Sequence, residues 1–255
     1  MKFFAPSYKR AKKVLTHKIL PSVVYCVHEF EAKSYEEEGH AILVLPDNTK
    51  GNIAGVRNWI LNEAQANKTE KLLVLDDDIK AIGCFYGEDK AKYICNERLE
   101  EEIAKCFMLA EEWGCTLWGV NCGSDKGSYR EYSPFSCKGY CSASLHGFDI
   151  EKLGGLRYDV RLPLKEDYDL CLQIANRDRK LLRFNYMHML KDDHLNVGGC
   201  AMYRNLKVER EQMDLLVRKW GKKIVREDSG KSQVNRKKEK GYDINPIIKV
   251  PIGGV

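Results

Sequence analysis

The feature that most constrains this chain is an apolar run that ends abruptly in charge: Leu72-Leu73-Val74-Leu75 is followed at once by Asp76-Asp77-Asp78. A short continuous aliphatic run bounded by polar residues reads as a buried strand of a parallel sheet. Three acids at its end then stand at the carboxyl edge of that sheet, where open α/β folds bind ligands. The plain alternative is a polar turn in which one aspartate caps the next element. Adjacent carboxylates repel one another, however, which a mere turn does not need. Alternate residues of an extended segment share a face, so Asp76 and Asp78 can converge. Such a pair suits Mg²⁺ or Mn²⁺ holding a diphosphate, because hard cations take oxygen ligands and bridge to phosphates.

The flanking sequence supports the strand reading. Phe3-Phe4-Ala5 stops at Pro6-Ser7, Val23-Val24-Tyr25-Cys26-Val27 follows Pro21, and Ala41-Ile42-Leu43-Val44-Leu45 stops at Pro46. Between the runs, Ile53, Val56, Ile60 and Ala64 recur at helical spacing, as do Leu99, Ile103, Cys106, Phe107 and Ala110. That alternation predicts βαβ units: an α/β chain with a Rossmann-like, mostly parallel central sheet flanked by helices. Thr116–Val120 reads as a further strand, followed by a Gly/Ser/Tyr-rich region with turns to about 150. A helix is predicted from Asp167 to about Arg179, a strand over 181–186, and a last helix over 203–220 closed by Gly221. We expect one domain over residues 1–225 and a basic tail over 226–255 that packs back as a strand or stays partly mobile.

Charge and cysteine content narrow the class. The chain is 44% hydrophobic and 31% charged over 255 residues, the balance of a globular protein, and no run approaches the roughly 20 apolar residues of a membrane span. With no apolar core for a signal peptide, a cytoplasmic location is expected. Ten cysteines occur without a CxxC pair, several of them inside apolar runs, so they read as reduced and buried rather than as disulfides or a zinc site. Residues 1–20 carry six Lys/Arg and no acid, and residues 204–255 carry 14 Lys/Arg against seven acids; with a total of +5, the middle carries 5 − 6 − 7 = −8. An acidic middle between basic ends fits a metal site framed by surfaces that accept phosphates; charge for solubility is the simpler reading of 231–240.

Further candidates follow. Lys165-Glu166-Asp167-Tyr168-Asp169 opens a helix, where acids are stabilised by the helix dipole; Asp167 or Glu166 is also placed to act as a general base. Pro6, Ser7, Tyr8 and Arg10 offer a hydroxyl, an aromatic face and a cation after the first strand, suited to a nucleotide's base and phosphates. Arg57 lies on the helix leading into the acidic strand and can reach the same cleft. His188 and His194 lie near Asn196-Val197-Gly198-Gly199; a histidine completes a metal shell, and Gly198 and Gly199 let a loop close over a donor phosphate. Tyr129, Tyr132, Phe135 and Tyr140 are candidates for stacking on an acceptor, and equally for core packing.

Taken in order, these motifs resemble the GT-A glycosyltransferases. The resemblance implies that Asp76 and Asp78 form a metal-binding DxD motif, with Asp77 beside them on the donor. It implies that Glu166 and Asp167 supply the base of an inverting reaction, and that His194 or His188 completes the metal shell. More narrowly, Val56-Arg57-Asn58-Trp59-Ile60, Asp76-Asp77-Asp78-Ile79 and Asn196-Val197-Gly198-Gly199 resemble a phage group associated with TET-type hydroxylases. That implies a sugar moved from a nucleotide-sugar, a UDP-sugar by family default, to a hydroxymethylpyrimidine such as 5-hydroxymethylcytosine in DNA, in the host cytoplasm. Mn²⁺ or Mg²⁺ would be the cofactor, and a flipped-out base would lie against Tyr132 and Tyr140.

Three other readings compete. A nucleotidyltransferase needs the same sheet and metal but a glycine-rich loop after the first strand, whereas Ser7-Tyr8-Lys9-Arg10 has no glycine. A non-catalytic nucleic-acid-binding protein would leave the acids structural. A glycosyltransferase acting on a protein or saccharide keeps the same site with another acceptor.

Overall fold

The computed structural model describes residues 1–46, 49, 51–86, 91–122, 129–191, 203–230 and 244–250. Ten strands form the main sheet: β1 (Lys2–Pro6), β2 (Val24–His28), β3 (Ile42–Leu45), β4 (Lys71–Leu75), β5 (Ile79–Cys84), β6 (Lys92–Ile94), β7 (Leu117–Asn121), β8 (Phe135–Ser136), β9 (Leu145–Asp149) and β10 (Leu182–Lys191). Their order is β3-β2-β1-β4-β9-β7-β10-β5-β6, with β8 on β10 outside that path. The expected parallel block is present: β3, β2, β1 and β4 pair in parallel, and β7 pairs in parallel with β10. Between the two blocks runs β9, antiparallel to both β4 and β7, so all six of those strands point the same way. The sheet is therefore mixed, with β9, β5 and β8 as reversals.

Six helices accompany it among the described residues: α1 (Glu29–Glu37), α2 (Ile53–Ala66), α3 (Asn96–Glu112), α4 (Ile150–Leu153), α5 (Glu166–Asp178) and α6 (Leu206–Trp220). The period-2 pattern of β4 divides the core. Leu73 and Leu75 join a cluster with Ile103, Phe107 and Tyr35, on the face covered by α3 and α1. Leu72 and Val74 join Ile60, Ala64, Leu170 and Ile174, on the face covered by α2 and α5. Helix α2 starts where the Asn52 side chain accepts from the Ala54 and Gly55 amides, a standard N-cap.

Strand β9 falls in the region read as turns. Gly147 lies against the Trp118 indole, and a Cβ built there would come within 2.1 Å of the ring. The strand thus accommodates a fully buried tryptophan by giving up a side chain, at the cost of the apolar run that would have revealed it. Beyond α6, β11 (Val225–Glu227) straddles the expected domain limit and pairs antiparallel with β12 (Pro246–Ile248). Ile244 is fully buried with Leu162, Met213 and Leu216, so the described end of the tail belongs to the core.

Candidate active site

A cavity of about 760 Å³ opens at the carboxyl ends of β1, β2 and β4 and the N-termini of α2 and α5. Its lining includes Asp76, Asp77 and Asp78, and also Glu166 and Asp167, so the two acidic clusters share one cleft. Strand alternation carries over into the aspartates. Asp76 continues on the α2–α5 side, where Arg57 Nη2 donates to its Oδ1 at 2.9 Å; Asp77 turns to the other side, where Ser7 Oγ donates to its Oδ2 and Arg10 Nη1 to its Oδ1 at 2.8 Å. Thr16 Oγ1 locks the turn by donating to the Asp76 carbonyl at 2.7 Å and accepting from the Ile79 amide at 3.1 Å.

The three carboxylates differ electrostatically. Burial opposes the charge of Asp76, but Lys191 and Arg57 overcome it and hold this carboxyl far below its usual range. Burial raises Asp77, with Arg10 and Ser7 opposing and Asp76 adding to the rise. Burial and the neighbouring Asp76 charge push Asp78 up to about 6. Asp78 Oδ1 is buried and has no hydrogen-bond partner among the described residues. It lies 3.6 Å from Lys191 Nζ, which also donates to Asp76 Oδ2 at 2.7 Å.

Asp76 and Asp78 thus meet around one cation, as their spacing suggested, while Asp77 is committed to Ser7 and Arg10. Two carboxylates, one with an unsatisfied buried oxygen, are a donor set that suits a hard divalent ion whose remaining ligands are substrate oxygens and water. Among the described residues no group of three or more His, Cys, Asp or Glu is arranged around such an ion. His194, Gly198 and Gly199 lie outside the described residues. His188 is only 1% exposed, set between Phe85 at 5.3 Å and Tyr93 at 6.2 Å between ring centroids, and is not among the cavity's described lining residues.

Glu166 and Asp167 separate in the same way. Glu166 is buried and bound by Arg57 Nη1, so Arg57 bridges Asp76 to Glu166. Burial and the adjacent Asp167 charge, opposed by Arg57, push Glu166 up to about 8. Asp167 is half-buried; its Oδ1 accepts from the Tyr168 amide at 2.8 Å and its Oδ2 from the Tyr140 hydroxyl at 2.5 Å. Tyr140 and Tyr168 stack face to face, with centroids 4.0 Å apart. Burial and Asp167 raise the Tyr140 phenol well above its usual range, so it remains a donor. Tyr132, by contrast, is 86% exposed and outside the cavity lining, while Tyr129 is buried against Phe85.

Several lining residues were not anticipated. His28, at the end of β2, stacks on Phe30 at 5.7 Å, and Tyr8 meets both rings edge-on. Phe30 is 69% exposed, so this aromatic corner presents faces to the cavity mouth. The aromatic residues His28 and Phe30 at the end of β2 and the start of α1 were a legible signal for a further binding surface. Tyr203, Arg204 and Asn245 close the far wall.

Solved structures share the architecture. Glucosyl-3-phosphoglycerate synthase from Mycobacterium tuberculosis, in complex with phosphoglyceric acid, superposes with a TM-score of 0.51 at 8% identity, covering 89% of this chain and 82% of that one. A mycobacterial protein superposes with a TM-score of 0.51 at 7% identity, covering 98% and 83%. At such identity the likeness shows the fold, the GT-A type of mixed α/β sheet flanked by helices. No curated protein matches the chain in sequence at significant similarity. The family model described as TET-Associated Glycosyltransferase matches residues 1–200, most of the chain and all the cavity's described lining residues except Tyr203, Arg204 and Asn245. The chain is therefore a glycosyltransferase that belongs to the TET-associated glycosyltransferase family.

Proposed function

We propose that the protein transfers a sugar from a nucleotide-sugar, with a divalent cation, to the hydroxyl of a hydroxymethylpyrimidine in DNA. One observation carries the reading: Asp76 and Asp78 line the same cavity as Asp167. A cation seat and a general base in one cleft are what transfer from a phosphate leaving group to a hydroxyl requires. The volume suits a small-molecule donor.

Asp76 and Asp78 would hold Mn²⁺ or Mg²⁺, which when bound neutralises the diphosphate as it leaves. Tyr8, His28 and Phe30 offer ring faces to a base, and UDP is the family default for the nucleotide. Ser7 and Arg10, fixed by Asp77, shape the turn under it. Of the two candidate bases we favour Asp167: Glu166 is buried and spent on Arg57, whereas Asp167 is only partly buried and lines the cavity. The Tyr140–Tyr168 pair beside Asp167 is a flat surface against which a base turned out of its stack can lie. Tyr132 can serve only as a peripheral contact, given its exposure.

No helix among the described residues is long and apolar enough to cross a membrane. The reading is tested by incubating the protein with hydroxymethylcytosine-containing DNA, Mn²⁺ and a panel of nucleotide-sugars, then weighing the digested nucleosides by mass spectrometry. A hexose- or pentose-sized gain on the modified base is expected. Donor hydrolysis without such a gain would keep the glycosyltransferase and point to a protein or saccharide acceptor.

A further inference from the structure

The acidic cluster is nearly neutralised before any metal arrives. Asp76, Asp77, Asp78 and Glu166 contribute four carboxyls, and Arg10, Arg57 and Lys191 reach them with three cations. The two arginines are tied in place. Arg57 is 4% exposed and spans Asp76, Glu166 and the Ala143 carbonyl; Arg10 spans Asp77 and Asp78, and its backbone amide donates to the Tyr35 hydroxyl.

Lys191 is different. It is the last residue of β10, its side chain is 27% exposed, and its ammonium touches the same two carboxylates that make the cation seat: Asp76 Oδ2 at 2.7 Å and Asp78 Oδ1 at 3.6 Å, with Ser144 Oγ at 3.2 Å. A single ammonium between those oxygens supplies half the charge a divalent ion would bring. Two cations cannot share the position, since at such distances their repulsion is worth kilocalories even at a protein-like dielectric of about 20. Lysine is suited to leaving: it is a point charge on a flexible stem, without the forked geometry that locks an arginine to its carboxylate.

We propose that Lys191 is the resident counter-cation of the Asp76–Asp78 seat and exchanges with the divalent ion, so that metal binding requires Lys191 to swing out. The inference rests on the metal reading above and deepens it. Before the metal binds, Lys191 bridges Asp76 and Asp78 and offsets their mutual repulsion; once displaced, it remains beside the site as a cation for a phosphate-bearing ligand. The exchange makes the protein's affinity for a bare divalent ion weak, which favours loading together with the donor.

Two measurements test it. Titration of Mn²⁺ into the nucleotide-free protein, followed by electron paramagnetic resonance of free Mn²⁺, should show roughly tenfold or tighter binding in Lys191→Met than in wild type. Lys191→Arg should bind no tighter than wild type, and Asp78→Asn on the Lys191→Met background should lose the gain. In the wild-type protein, acetic anhydride labelling of Lys191, read by peptide mass spectrometry, should rise when Mn²⁺ is added. Unchanged affinity in Lys191→Met, or unchanged labelling, would overturn the exchange. Retained donor binding with no Mn²⁺ bound by any variant would overturn the metal reading itself, and the exchange with it.

Discussion

Arg57 and Glu166 form an ion pair whose side chains are only 5% and 8% exposed, and the same guanidinium reaches Asp76 at 2.9 Å. One residue of α2 thereby ties the end of β4 to the start of α5. Removing that guanidinium leaves the ionised Asp76 and the buried Glu166 without their shared partner, which costs about 3–5 kcal/mol. Arg57→Met should lower stability by that order in denaturant unfolding. Arg57→Lys should recover only part of it, because an ammonium cannot reproduce a fork aimed at two carboxylates. A loss below about 1 kcal/mol would mean that apolar packing, not this bridge, seats α5.

The raised Glu166 carboxyl predicts a pH dependence. Its folded value of about 8 lies above the unfolded value near 4.5, so the native state holds the proton more tightly. Its contribution is fully present below pH of about 4.5 and is lost as pH rises through about 8. Unfolding measured between pH 5 and 9 should show wild type losing stability relative to Glu166→Gln as pH rises. A difference curve that is flat, or rises toward high pH, would show that Arg57 keeps Glu166 ionised throughout.

Asp78 carries the buried oxygen without a hydrogen bond among the described residues, and Asp77 is committed to Ser7 and Arg10. Asp78→Asn should therefore abolish the metal-dependent part of nucleotide-sugar binding, seen as loss of the Mn²⁺-induced gain in calorimetry. Asp77→Asn should instead act through the turn at Ser7 and Arg10, weakening donor binding with and without metal alike. The reverse pattern would exchange the two roles.

What could be read from the sequence follows from periodicity. Strands β1, β2 and β4 and helices α2, α3, α5 and α6 present unbroken apolar patterns, and the fold class followed from their alternation. Strand β9 was missed because Gly147 and the buried His146 interrupt its run; the glycine is needed by Trp118, and the histidine is bonded to Tyr158 and the Cys141 carbonyl. Helix α1 was missed because Glu29–Glu37 carries four glutamates in nine residues and buries only Glu31 and Tyr35. The site was legible where chemistry is local, as in the aspartate run and Glu166-Asp167. Lys191 was not, since its partner Asp76 lies 115 residues away and Asp192 and Asp193 stand next to it in sequence. Arg57 does reach the cleft, but its contacts there include protein carboxylates, which no sequence spacing reveals.

The Gly147–Trp118 contact gives a stability test independent of the site. Gly147→Ala places a methyl within 2.1 Å of the buried Trp118 ring, its register partner on the neighbouring strand. A loss of about 3 kcal/mol is expected in chemical unfolding. The double variant with Trp118→Phe should recover part of it, because the smaller ring vacates the position that the methyl needs. Additive losses in the double variant would show that the clash is relieved elsewhere.

The last prediction concerns the proton. With Tyr140 donating to Asp167 Oδ2 at 2.5 Å and the Tyr168 amide to Oδ1 at 2.8 Å, the carboxylate is fixed from both oxygens, and a hydroxyl must approach along a remaining lone pair. Asp167→Asn should leave nucleotide-sugar binding intact and lower turnover by about 10²–10⁴-fold, the usual contribution of a general base. Tyr140→Phe keeps the stacked ring and removes only the donor. It should reduce kcat while leaving the KM values for donor and acceptor near wild type, because what it loses is the orientation of Asp167. Tyr140→Leu, which also removes the flat face, should raise the acceptor KM in addition. If Tyr140→Phe leaves kcat unchanged while Tyr140→Leu raises the acceptor KM, the tyrosine serves as a platform alone and Asp167 holds its orientation without it.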